Sequence, residues 1–123
     1  MTSSTAKRCA ACRGEVPPLD RGEATRLLLR LGHGWHLADG RRLERTYTFG
    51  DFREALMFVN RIGDAADARD HHPEILLAWG LVRIAIWTRA IDALTESDFA
   101  LASDIEELFA ELSRVAGVDN VVS

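Results

Sequence analysis

The stretch "DARDHHPEILLAWGLVRIAIWTRAID", Asp67 to Asp92, decides the fold. Pro73 disfavours helical geometry at His72, so any helix entering from the left ends before the histidine pair. Beyond the proline, "EILLAW" and "LVRIAIWTR" have strand length and flank Gly80, which reads as two strands around a turn. In the second run Val82, Ile84 and Ile86 fall on one face, and Arg83, Ala85, Trp87 and Arg89 fall on the other.

Upstream, "GDFREALMFVNRIGDAADARD" is the longest helical segment, with Phe52, Leu56, Val59 and Ala66 in one stripe and Ala55 and Ile62 beside it. Before it, "GWHLADGRRLERTYTF" predicts a hairpin around an Asp-Gly turn, its second arm alternating in Leu43, Arg45, Tyr47 and Phe49. A first helix starts from Asp20 as N-cap, carries Ala24, Leu27, Leu28 and Leu31, and stops at Gly32. Downstream, Thr95 and Asp98 form a capping-box pattern. It opens a helix with Leu101, Ile105, Leu108, Leu112 and Val115 in register, ending at Gly117. The resulting order, α-β-β-α-β-β-α, predicts an α+β fold: a four-stranded antiparallel sheet with three helices packed on one face. The domain is expected over residues 20–117, after an extended or disordered segment at 1–19 and before a tail at 118–123.

The chain has 123 residues, enough for one domain with its own core. A net charge of −4 with both signs interspersed gives no electrostatic footprint for nucleic acid or an anionic membrane. No apolar run approaches the roughly 20 residues that span a bilayer. The first residues, "MTSSTAKR", lead into no apolar core of a signal peptide, so the expected location is the cytoplasm. Cys9 and Cys12 make one CxxC without a second pair to complete a zinc site. They read as two thiols in a lead-in segment, with a zinc shared with His33 or His36, or across two subunits, as the other reading. No metal and no cofactor is expected.

Adjacent histidines on a regular strand point apart, but at a helix-to-strand junction both can reach one cleft. Plain surface histidines are the bland reading; the spacing of the neighbours argues against it. Asp67 lies one helical turn before His71, Pro73 follows the pair, Trp79 comes after five more residues, and Asp98 begins the last helix. This pattern resembles the pterin-4a-carbinolamine dehydratase family, whose motif runs acid, His-His-Pro, aromatic, a third His, then Asp. The resemblance spans about Val16 to Ala116. It implies a site in which His71, His72 and Asp67 are the catalytic group or its remnant, and Pro73, Trp79 and Asp98 contact a pterin ligand.

The chain departs from the family at position 89, where the third histidine is replaced by Arg89. The family removes water from a 4a-hydroxytetrahydropterin, which needs one group to assist the departing hydroxyl and another to take a ring proton. Imidazole exchanges protons near neutral pH; a guanidinium, with pKa above about 12, does not. A second departure places Asp92-Ala93 where relatives commonly carry Gly-Gly, so Ala93 should resist any positive φ required there.

Two functions follow from the resemblance. One family branch, encoded beside α-carboxysome genes, assists RuBisCO assembly, and the altered site and cysteine-bearing lead-in resemble it. That reading implies a protein-binding scaffold without full dehydratase activity, with RuBisCO subunits as partner. The alternative is an active 4a-hydroxytetrahydrobiopterin dehydratase working with His71, His72 and Asp67. Both imply a homo-oligomer, a dimer or a tetramer.

Overall fold

A computed structural model describes residues 16–32 and 34–116. The element order is α1 (Arg21–Leu31), β1 (His36–Ala38), β2 (Arg42–Thr48), α2 (Phe52–Arg69), β3 (Glu74–Ala78), β4 (Leu81–Ile86) and α3 (Glu96–Ala116). The expected three helices and four antiparallel strands are all present. The strands lie in the order β1-β2-β4-β3, so the two hairpins join through their inner strands. Register pairs Arg45 with Ile84 and Tyr47 with Val82 across that seam.

Local chemistry sets the boundaries. Asp20 and Glu23 cap each other's backbone amides at the start of α1, a complete capping box. Asp39 and Gly40 both take positive φ, 56° and 68°, which closes the β1–β2 hairpin with the twist such turns favour. At the β3–β4 turn, Gly80 has φ 67°, and a Cβ there would meet the Phe49 carbonyl oxygen at 2.9 Å. Only glycine fits, because the Phe49 amide also donates to the Gly80 carbonyl at 2.8 Å.

Leu43, Arg45, Tyr47 and Phe49 are all buried, as the alternation predicts, and Val82, Ile84 and Ile86 continue that face on β4. Helices α2 and α3 cover it. Tyr47, Phe49, Phe58 and Phe109 form an aromatic cluster, with Tyr47–Phe58 centroids 4.8 Å apart edge-to-face and Tyr47–Phe109 centroids 4.7 Å apart. Such pairs add roughly 0.5–1.5 kcal/mol beyond burial. The opposite face stays open, with Leu76 and Arg83 exposed. Ala85 is buried there because it lies across from Glu44 on β2 and Glu74 on β3, whose longer side chains flank it.

One sequence expectation shifts. The buried stripe of α2 is Ala55, Phe58, Ile62 and Ala66, whereas Phe52 is 45% exposed and Leu56 and Val59 are half-buried. Phe58 was missed because the helix turns a residue further than the first apolar position suggested. The end of α3 also escapes comparison: the side chain of Val115 and the stop at Gly117 lie outside the described residues, as do Cys9, Cys12, His33 and the tail at 118–123.

A polar network borders the core, between buried Arg45 and part-buried Glu106. Glu106 on α3 accepts from Trp35 Nε1 (2.7 Å), from the Tyr47 hydroxyl (2.8 Å) and from Arg45 Nη1, all through Oε2. Arg45 also lies over the Tyr47 ring at 4.2 Å. This network ties α3 to β2 and to the loop before β1. Burial, and then the Glu106 carboxylate, push the Tyr47 hydroxyl well above the usual phenol range, while Arg45 opposes them.

Candidate active site

The site forms where the C-terminus of α2, the end of β4 and the N-terminus of α3 meet. Helix α2 ends in a Schellman motif. Asp70 takes the left-handed conformation (φ 52°, ψ 43°), the Asp70 amide donates to the Asp67 carbonyl (3.1 Å), and the His71 amide donates to the Ala66 carbonyl (3.0 Å). Aspartate tolerates this geometry better than most residues. The turn drives His71 inward, where its side chain is only 6% exposed, and Pro73 then sends the chain into β3.

His71 meets Asp98 in the interior. Nε2 stands 2.5 Å from Asp98 Oδ1, and Asp98 is fully buried. The other carboxylate oxygen accepts from the Thr88 hydroxyl and the Thr95 amide, each at 2.8 Å. Thr88 and Thr95 hydroxyls also lie 3.1 Å apart. The Thr95 contact is one arm of the predicted capping box, so a single side chain caps α3 and holds His71. An ionised carboxylate only accepts, so the proton of His71 that faces it resides on Nε2.

His72 points to the surface. Its Nε2 is 2.9 Å from Asp67 Oδ1, with side-chain exposures of 52% and 80%. The two histidines therefore differ sharply: one is fixed and enclosed, the other is paired and wet.

Both line a cleft of about 170 Å³ together with Asp70, Trp87, Thr88, Arg89 and Ala90. Arg89 Nη1 donates to the His72 carbonyl (2.9 Å), and its guanidinium lies over the Trp87 ring at 4.6 Å. The cation thus occupies the cleft that the imidazoles share. The following loop closes through paired bonds between Thr88 and Ala93, of which Thr88 N to Ala93 O is 2.9 Å. Its positive φ falls on Asp92 (49°), not on Ala93, so the strain expected at Ala93 does not arise. Asp92 is held by Arg41 Nη1 at 2.8 Å and lies 3.9 Å from Arg42 Nη2.

The sequence-predicted residues divide accordingly. Asp67, His71, His72 and Arg89 come together, with half-buried Pro73 directing the chain beside them; Asp98, expected to contact the ligand, is instead fully buried and holds His71 from behind. Trp79 does not: it is 73% exposed in the β3–β4 turn, at the other end of the hairpin. The aromatic residue in the cleft is Trp87, which sequence reasoning had placed only on the outward face of β4. Its position two residues before Arg89, on the same side of the chain, was the available signal. Among the described residues no group of three or more His, Cys, Asp or Glu could hold a metal, and His36 instead faces Glu44 at 3.4 Å. No described helix is long and apolar enough to cross a membrane.

Comparison with known proteins shows the family and the fold. The profile of the family described as Pterin 4 alpha carbinolamine dehydratase matches residues 17–108. A protein of Rubrobacter xylanophilus, provisionally named pterin-4-alpha-carbinolamine dehydratase, is 44% identical over 88% of this chain and 100% of its own length. One of Methylococcus capsulatus with the same provisional name is 42% identical over 89% of this chain and 96% of its own. Among solved structures, a transcriptional coactivator/pterin dehydratase from Brucella melitensis superposes with a TM-score of 0.71 at 30% identity. The superposition covers 75% of this chain and 98% of that one. A pterin dehydratase-like protein identified as a RuBisCO assembly factor in the α-carboxysome superposes with a TM-score of 0.54 at 19% identity, over 63% of this chain and 92% of its own. That degree of identity speaks for a shared fold.

Proposed function

Because the chain belongs to the pterin-4a-carbinolamine dehydratase family, we propose that its cleft binds a pterin and dehydrates a 4a-hydroxytetrahydropterin slowly. The observation that carries this reading is the pairing of each imidazole with a carboxylate, beside a guanidinium that cannot accept a proton. In the reaction the C4a–O bond breaks, the hydroxyl leaves as water after gaining one proton, and a ring N–H loses one. The His72–Asp67 pair is the proton-exchanging couple, since it is solvent-linked and can reset between turnovers. His71, immobilised by Asp98, is a hydrogen-bonding group for the substrate. Arg89 stands where the family has its third histidine and removes one acid–base partner, a loss of about 10²–10⁴-fold in rate.

Stopped-flow assay of the purified protein with freshly generated 4a-hydroxytetrahydropterin tests this. A slow rate above the spontaneous reaction, abolished by His72→Ala and raised by Arg89→His, is the expected result. A rate equal to the uncatalysed one in both the parent and Arg89→His would overturn it.

A second reading is a protein-binding scaffold that assists RuBisCO assembly, favoured by the permanent cation in the cleft. The resemblance to that branch supports it; the remote solved neighbour adds only the fold. Co-expression with RuBisCO subunits decides it: capture of the large subunit, unchanged by His72→Ala, belongs to the scaffold. A homo-oligomer, dimer or tetramer, is proposed under either reading, and sedimentation equilibrium checks it.

A further inference from the structure

The cleft has a polarity that a neutral pterin does not use. Arg89 lines it, and its Nη1 is engaged by an uncharged carbonyl, that of His72, at 2.9 Å. Among the described residues no carboxylate lies within ion-pair distance of this guanidinium. A second guanidinium, that of Arg42, lies over the same indole of Trp87 at 4.3 Å, against 4.6 Å for Arg89. The acid near Arg42 is Asp92, which is 3.9 Å from Arg42 but bonded more closely to Arg41, at 2.8 Å. Two arginines, Arg41 and Arg42, therefore share Asp92, while Arg89 shares only the Trp87 indole with Arg42. Opposing them are Asp70, in the cleft wall, and Asp67, exposed outside the lining and committed to His72 at 2.9 Å.

An arginine stacked on an aromatic ring is held in a fixed plane, and its fork matches an oxyanion in two-point contact. From this geometry we infer that the cleft selects a planar heterocycle bearing an anionic substituent, a carboxylate or a phosphate, which pairs with Arg89. The inference rests on the pterin reading of the same cleft and narrows its ligand class. Arg89 is then the residue that sets specificity, and the base lost at position 89 is exchanged for charge recognition. Arg42 acts at longer range, by keeping the Trp87 indole in place and adding positive potential.

Isothermal titration of the full chain with pterin-6-carboxylate, 6-methylpterin and inorganic phosphate tests it. Pterin-6-carboxylate should bind at least about tenfold more tightly than 6-methylpterin, as a charge-assisted bidentate contact provides. That preference should shrink with added salt and vanish in Arg89→Met, while Arg89→Lys retains part of it. Equal affinity for the two pterins, or a preference that survives Arg89→Met, overturns the inference and leaves the pterin reading standing. Absence of binding by either pterin overturns both. Phosphate binding as tightly as pterin-6-carboxylate overturns the requirement for a planar ring.

Discussion

His71 Nε2 and Asp98 Oδ1 are 2.5 Å apart, and both side chains are withdrawn from solvent. The same carboxylate caps α3 through the Thr95 amide and accepts from the Thr88 hydroxyl. Position and stability are therefore coupled at this residue: whatever loosens Asp98 frees a helix terminus and a candidate site histidine together.

Asp98→Ala should cost about 3 kcal/mol, because three buried donors lose their acceptor at once. For a domain of this size that is a fall in Tm of roughly 10 °C, read by calorimetry. Asp98→Asn retains the shape and should cost less. A Tm for Asp98→Ala within about 2 °C of the parent would dismiss the coupling.

The exposed pair behaves in the opposite way. His72→Ala breaks an ion-pair contact in which both partners are wet, worth well under about 1 kcal/mol after solvent screening. Its Tm should barely move, while dehydration falls at least about 10²-fold if His72 exchanges the proton. The diagnostic is the split: activity lost without stability at His72, and stability lost at Asp98. A His72→Ala protein that melts as early as Asp98→Ala would contradict the assignment of roles.

How far the sequence foretold this site depends on which forces placed each residue. The helix ends and the β2 alternation were legible because capping and period-two burial are local rules, and Asp20, Pro73 and Leu43 obey them. Asp67, His71, His72 and Asp98 were legible through their spacing. Trp87 was not, because its place in the cleft depends on α2 and α3 converging at the far end of β4, a tertiary fact that no window of sequence contains. Trp79 was misplaced for the same reason: the family's aromatic position falls in a turn that points away from the cleft here. Asp92 shows a third case: it, and not Ala93, takes the loop's positive φ.

The part-buried network around Glu106 predicts a non-additive mutant pair. Glu106→Leu removes the carboxylate that Arg45, whose side chain is 6% exposed, bonds to, and should destabilise by about 3 kcal/mol. Replacing both, Arg45→Met with Glu106→Leu, removes the guanidinium together with the carboxylate it faces and should recover a large part of that loss. Denaturant melts of the two single variants and the double variant give the coupling energy. Strict additivity would mean that the two residues contribute separately.

Tyr47 is the one tyrosine in the sequence, so its ionisation can be followed alone by phenolate absorbance near 295 nm. Burial and Glu106 raise its pKa in the folded protein above the ordinary 10.0. The unfolded chain therefore ionises first as pH rises. A group with a raised folded pKa stabilises fully below its unfolded value and loses that contribution above it, so stability should decline from about pH 10 upward. In the native protein the absorbance should stay flat through that range and then rise together with loss of circular dichroism, as one transition. Tyr47→Phe removes the titration and with it this part of the alkaline decline, although it also deprives Glu106 of one donor. A phenolate signal that develops near pH 10 while the dichroism is still native would show that the hydroxyl is reached by solvent and that the core does not hold its proton.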